Sequence, residues 1–225
     1  MDYTSNIIQP EPDQFPAAMV SENRWVCWRS MMRSRKPTKC PVNPKTGKAA
    51  SSADSETWSN FETACRAWRE GGVSGIGFML GEGFSGIDLD GHVTTDGELS
   101  SMAQYIVGSM QSYSELSPSG TGLHIIVRAT LSKAHVDHER GIEVYPFKRF
   151  FCCTGHRLPD TLEDVESRQQ ELDHLVAAMF PERQRQSRDT SAYSTSDSSS
   201  QIIDRARHYL ARMPNTECDT QSCHD

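Results

Sequence analysis

The sequence predicts an α+β fold, a mixed and largely antiparallel sheet with helices packed outside it. Three observations predict this. Apolar, β-favouring stretches at 76–80 and 84–89 flank Gly81-Glu82-Gly83, the composition of a tight hairpin. A second strand pair is expected in YSELSPSGTGLHIIVRA, where a short strand, a glycine-rich turn and a strand at 123–128 follow one another. Segments 56–70, 98–112 and 162–180 read instead as helices.

Taken in order, residues 1–20 carry prolines and little pattern, which predicts an extended N-terminal arm. RWVCWR at 24–29 reads as a strand with both faces partly buried. In KPTKCPVNPKTGK, Pro37, Pro41, Pro44 and Gly47 oppose regular structure, so a loop or short hairpin is expected. Trp58, Phe61, Ala64, Cys65 and Trp68 share a helix face, and Gly71-Gly72 ends that helix. GIEVYPFKRFFCCT at 141–154 reads as a strand or strand pair interrupted at Pro146. Leu162, Val165, Leu172, Leu175, Val176 and Met179 suit the core face of a last helix. One domain is therefore expected over 21–183. The polar, serine-rich stretch 184–200 reads as a linker, and 201–225 as the start of a truncated helical unit.

Composition narrows the class. No run of 18 apolar residues exists, and no basic segment followed by an apolar stretch opens the chain. The expectation is a cytoplasmic protein with no membrane partner. Seven cysteines form no C-x-x-C pair, which fits reduced thiols better than a disulfide framework or zinc knuckle. Cys218, Cys223 and His224 read either as half a metal site or as unrelated residues near a chain end. The formal net charge is −7, yet Arg24 to Lys48 holds eight basic residues and no acidic one. Such a strip suits a polyanion touching one face; a solvated basic loop is the other reading.

Three motifs carry chemistry. In GIDLDG, alternation along a strand puts Asp88 and Asp90 on one face and Ile87 and Leu89 in the core. Two adjacent carboxylates repel, and a divalent cation relieves the repulsion; hard oxygen donors suit Mg2+ or Mn2+. A polar strand end is the alternative. In SPSGTGLHI, Gly120 and Gly122 let the backbone bend around an anion, with Ser119 and Thr121 hydroxyls as further donors and His124 just beyond. A glycine-rich hairpin with a chance histidine is the plainer reading. In IEVYPFKRFF, Glu143 sits between apolar neighbours and needs a partner or an ion, and Lys148 and Arg149 could return two cations to the same pocket. His135-x-x-His138 could ligate a metal, and otherwise belongs to the surface with His92 and His156.

The order Asp-x-Asp, Ser-x-Gly-x-Gly-x-His, strand glutamate resembles the three motifs of the archaeo-eukaryotic primase superfamily. More narrowly, residues 20–157 resemble the primase-polymerase domains of phages and plasmids. The likeness includes Trp25, Trp28, Lys36, Pro37, Gly47, Ala49, Ser51, Asp54 and Trp58, then GIGFML, GIDLDG, the Y-x-E-x-SPSGTGLH block and the E-V-Y…R-F…T-G block. The resemblance implies two small lobes forming a cleft, and template-directed nucleotidyl transfer. Asp88, Asp90 and Glu143 would hold two divalent cations. Ser119 and His124 would contact the incoming triphosphate, with Gly120 and Thr121 shaping the contact and Lys148 and Arg149 as phosphate ligands. Lys36 and Lys39 would track a single-stranded DNA template. Longer relatives continue into a helicase or ATPase, and no G-x-x-x-x-G-K-[ST] sequence is present here. A separate helicase or a missing C-terminal domain is thus an expected partner. Rival readings are a metal-dependent nuclease and a non-catalytic replication fragment that binds single-stranded DNA or a helicase.

Overall fold

The computed structural model describes residues 7–33 and 36–181, all within one compact unit, Met1–Glu182. The linker expected at 184–200 and the helical unit expected at 201–225 lie outside the described residues, as do Cys218, Cys223 and His224.

Among the described residues the α+β class is realised as two antiparallel sheets with helices. The first sheet comprises β1 (Trp25–Arg33), β2 (Lys36–Val42), β3 (Gly75–Met79) and β9 (Phe150–Cys153), in the order β2-β1-β3-β9. The second comprises β4 (Phe84–Leu89), β5 (Ser114–Leu116), β6 (Leu123–Arg128), β7 (His135–Asp137) and β8 (Ile142–Tyr145), in the order β5-β6-β4-β8-β7. Every strand pairing in the two sheets is antiparallel.

The turn at Gly81-Glu82-Gly83 is tight, with reciprocal backbone hydrogen bonds between Gly81 and Phe84 and positive φ at Glu82 and Gly83. The hairpin expected around it does not form. β3 pairs with β1 and β9, while β4 pairs with β6 and β8. Both strands are buried along their length and have both edges taken, so they part after the turn and link the two sheets. The expected pair at 141–154 is divided the same way, β8 in the second sheet and β9 in the first.

Pro37 and Pro41 do not prevent a strand at 36–42. β2 is an edge strand, where a missing N–H costs no ladder bond. The Pro41 carbonyl faces outward and accepts from Ala50 N, so the proline nitrogen also faces away from β1.

Helix α2 (Phe61–Glu70) starts where the Asn60 side chain accepts from Thr63 N, and it buries Ala64 and Cys65 against the first sheet. Helix α3 (Ser101–Met110), capped by Ser100, turns Ala103, Ile106 and Met110 toward the second sheet. Helix α4 (Gln169–Met179) is shorter than the span expected at 162–180. Residues 161–168 are irregular, Leu162 is exposed, and Ser167 bridges to Arg128 beside β6. Backbone bonding to the sheet there outcompetes helical spacing. The arm expected at 1–20 is also corrected in part. A short 3-10 helix (Pro12–Gln14) and helix α1 (Ala17–Val20) fold back, and Phe15 and Met19 are buried beside Trp25. The Trp25 indole donates to the Met19 carbonyl.

Parity on the second sheet sets up the site. Ile87, Leu89, Leu123, Ile125, Ile142 and Val144 face α3 and α4. The opposite face is apolar at Phe84 and Ile126, which join the core with Phe78 and Phe151 of the first sheet. Farther along β4 that face becomes polar. The sheets pack tightly at Gly86, where an added Cβ would clash with the Phe151 ring and lie 2.9 Å from Leu80 Cδ1. Gly86→Ala should therefore destabilise the fold by about 2–3 kcal/mol, measurable as a lowered midpoint in denaturant unfolding.

Candidate active site

Antiparallel register brings four polar side chains into one row on the polar face. Glu115 on β5 is opposite His124 on β6, His124 is opposite Asp88 on β4, and Asp88 is opposite Glu143 on β8. Cross-strand partners share a face and stand nearest each other. Residues far apart in the chain thus meet through three successive pairings.

Asp88 is largely buried, and its Oδ1 has no hydrogen-bond partner among the described residues. His124 Nε2 lies 3.8 Å from that atom, beyond hydrogen-bond distance. Burial pushes the Asp88 carboxyl above its ordinary range; His124 opposes the shift, Asp90 and Glu143 add to it, and Lys39 opposes it. Asp90 follows β4 on an exposed turn, its backbone N–H held by the Gly141 carbonyl at 2.9 Å. A side chain at Gly141, where φ is +65°, would collide with the Asp90 carbonyl. Glu143 accepts from the Tyr145 hydroxyl at 2.6 Å and meets His138 Nδ1 at 2.9 Å and Arg149 at 3.6 Å. Burial and the bond to Glu143 push the Tyr145 phenol up to about 12, so its proton stays to be donated.

His124 is fixed on two sides. The Phe151 ring stacks on it, with centroids 4.5 Å apart and planes 26° apart. Its Nδ1 lies 3.3 Å from Glu115 Oε1. Glu115 is fully buried, and its Oε2 accepts from the Tyr113 hydroxyl at 2.8 Å, Thr154 N at 3.1 Å and Gly155 N at 2.7 Å.

A cavity of about 360 Å³ opens on this row, lined by Asp88 and His124 from the second sheet and by Lys39, Arg149 and Phe151 on the first-sheet side. A neighbouring, more apolar cleft of about 300 Å³ shares Pro37 and Lys39 with it and adds Trp28 and Ser119. Two cations, a histidine and a carboxylate around an open cavity suit a polyphosphate held beside a cation-binding acid.

The expected residues fare unequally. Asp88, His124 and Glu143 share the row, with Asp90 one residue beyond the strand. Arg149 reaches the cavity and stacks over Tyr145 at 4.5 Å, whereas Lys148 is an exposed turn residue with φ +54° outside the lining. Ser119 and Thr121 are exposed with their hydroxyls 3.0 Å apart. The Gly120 amide is taken by the Ser117 carbonyl, so the hydroxyls remain as the loop's outward donors. Lys39, read as a template contact, lines both cavities; Lys36 opens β2 opposite Arg33. Of the basic strip, Arg24 is buried on Glu82 and the Met79 carbonyl, and Arg29 is bonded to the Gly72 and Gly47 carbonyls. Those two serve the fold. Trp25 and Trp28 are both core residues, with Trp28 also walling the second cleft.

Sequence reasoning gave no role to Glu115 or Tyr145, and read His138 only with His135, as a metal pair or a surface residue. The signal for Glu115 was present. Leu116 pairs with Leu123 across the glycine turn, and one step outward that register couples Glu115 to His124.

All three acidic groups are hard oxygen donors, and Asp88 Oδ1 is a buried acceptor without a donor among the described residues, so the residues fit a divalent cation. Glu143 is meanwhile turned to Tyr145, His138 and Arg149, and among the described residues no three His, Cys, Asp or Glu side chains close into a ligand set. No helix among the described residues is long and apolar enough to cross a membrane.

Fold and site together define an α+β protein with an acidic, cation-compatible centre beside a basic, phosphate-compatible cavity. The sequence is 33% identical over 168 residues to a DNA primase-polymerase of Nitratiruptor phage NrS-1, a match covering 71% of this chain. The chain is thus similar to a phage primase-polymerase, as its motifs led one to expect. It spans 22% of that relative's length. No family model matches the chain.

Asp88→Asn should raise unfolding free energy at pH 7 by about 1 kcal/mol. A carboxyl raised in the folded state penalises folding above its folded pKa and not below its unfolded one, about 3.9. The gain should accordingly fade as denaturant titrations are repeated at falling pH.

Proposed function

We propose that this chain is the catalytic domain of a template-directed nucleotidyltransferase, a DNA primase or polymerase acting in replication. The observation that carries the reading is the row His124–Asp88–Glu143 opening on a cavity walled by Lys39 and Arg149.

Asp88, Asp90 and Glu143 would hold a pair of Mg2+ or Mn2+ ions. When bound, these supply charge neutralisation and an acidified primer 3′-hydroxyl. The chain's own groups bind and orient. Lys39 and Arg149 offset the triphosphate charge, Arg149 with its planar fork of donors held over Tyr145. His124 presents its Nε2 edge, because Phe151 covers a ring face and Glu115 takes Nδ1. Ser119 and Thr121 add exposed hydroxyl donors from the Gly120 loop, and Lys148 reinforces the positive potential at its rim. The template is single-stranded DNA, drawn to the β1–β2 side by Lys36 and Lys39. The two sheets then act as two lobes around the nucleotide, and a helicase supplied separately or by further chain opens the duplex.

The test is extension of a labelled primer on single-stranded template with Mg2+ or Mn2+. The parent chain should lengthen the primer, and Asp88→Ala with Asp90→Ala should abolish lengthening while keeping the folded circular-dichroism spectrum. Shortening of the primer would instead identify a nuclease, and tight DNA binding without incorporation a non-catalytic fragment. Arg149→Ala should raise the nucleotide KM about tenfold, the loss of one charge-assisted phosphate contact, with DNA affinity unchanged.

A further inference from the structure

Glu115 is fully buried and belongs to none of the groups assigned above to cation, phosphate or template. Its Oε2 is surrounded by three donors, the Tyr113 hydroxyl and the backbone N–H groups of Thr154 and Gly155. Burial, followed by the neighbouring Glu115 charge, pushes the Tyr113 phenol well above its ordinary range, so that hydroxyl donates and does not ionise. One oxygen remains for His124. An ionised carboxylate only accepts, so Nδ1 must carry the proton in this pair. The Phe151 stack fixes the plane of the ring, and the Glu115 contact fixes its rotation within that plane.

We propose that Glu115 is a positioning residue for nucleotide binding: it locks His124 in one orientation, Nδ1–H on the carboxylate and the Nε2 edge toward the cavity, so that a proton on Nε2 is donated to the triphosphate while Nδ1–H stays paired. The inference rests on the nucleotidyltransferase reading. It adds that the triphosphate meets a histidine already set in a single state, which spares the ordering cost that a free ring would incur on binding. The same carboxylate clamps the end of β9, at Thr154 and Gly155, to β5. The first sheet and the histidine are thus registered through one group.

Glu115→Gln provides the test, because its amide cannot satisfy both sides. Three donors face the Oε2 position, so the amide oxygen must sit there, and the NH2 must then face His124 and donate to Nδ1. The ring is then expected to carry its proton on Nε2 alone, and to meet the triphosphate without the positive charge that a paired Nδ1–H permits. The measurements are 15N spectra of histidine-labelled protein, with the His124 signals assigned from His124→Ala, and steady-state extension kinetics. In the parent, Nδ1 should resonate as a protonated nitrogen, and in Glu115→Gln as an acceptor. Nucleotide KM should rise about tenfold, with kcat changed less than threefold. In a His124→Ala background the same substitution should leave KM unchanged, since a residue acting through the histidine has nothing left to act on.

Equal loss of nucleotide affinity with and without His124 would overturn the proposal and leave Glu115 as a clamp on Thr154 and Gly155. An unchanged tautomer together with unchanged KM would overturn it as well. Should Glu115→Gln fail to fold, Tyr113→Phe removes one donor from the carboxylate without changing the ring volume. It should shift KM in the same direction, by less, and again only when His124 is present. Absence of any incorporation by the parent chain would defeat the polymerase reading. The 15N spectra would then decide the grip of Glu115 on His124 by themselves.

Discussion

The pairing of β4 between β6 and β8 is the constraint on which the rest of this structure depends, because antiparallel register converts sequence distance into lateral neighbourhood. Slipping β4 by one residue would move Asp88 to the helix-facing side and bring Ile87 and Leu89 to the cavity. The apolar alternation of Ile87, Leu89, Leu123, Ile125, Ile142 and Val144 against α3 and α4 prevents that slip. The chemistry on one face is thereby held in place by packing on the other. This explains how a carboxylate row can persist where its own electrostatics oppose it.

That opposition is concentrated at Asp88. The side chain is largely enclosed, lies beside two other acids and leaves an oxygen unpartnered. A protein selected for stability alone would not keep such an arrangement, since an unsatisfied buried polar group is destabilising. Sites that bind cations or polyanions carry such strain, and the ligand relieves it. Glu143 shows the contrast. It is just as central in the sheet but engages Tyr145, His138 and Arg149, so its charge is shared among donors. The row therefore contains one tense carboxylate and two satisfied ones, Glu143 and Glu115.

The two chain crossings between sheets, β3 to β4 and β8 to β9, give the cavity its mixed walls. Each carries the chain from one sheet to the other, and the second delivers Arg149 and Phe151 to the opening within eight residues of Glu143. Phe151 serves both levels of organisation. It packs on Gly86 as part of the inter-sheet core, and it stacks on His124 as part of the site. Core and site are continuous at that ring.

Much of this was legible in the sequence for physical reasons that are local. Strand parity placed Asp88 on one side and Ile87 and Leu89 on the other, whereas Asp90 falls on the turn just past β4. Gly71-Gly72 marked the end of α2, although its start, expected at 56, falls at Phe61 behind the Asn60 cap, and the turn at Glu82-Gly83 was readable from composition. Register and edge position were not readable, because they depend on which strands compete for each other's backbone groups. That competition turned the expected 76–89 hairpin into a crossing, and it allowed a strand through Pro37 and Pro41 at an open edge. It also withdrew Arg24 and Arg29 from the basic strip into carbonyl contacts. The sequence by itself determined the chemical inventory, three acids, a histidine and a basic segment in a recognisable order. Only the tertiary structure decided that Glu115 would stand behind His124 and that Lys39 would face the same cavity as Asp88. Those relations arise from pairing and packing between segments that no local pattern connects.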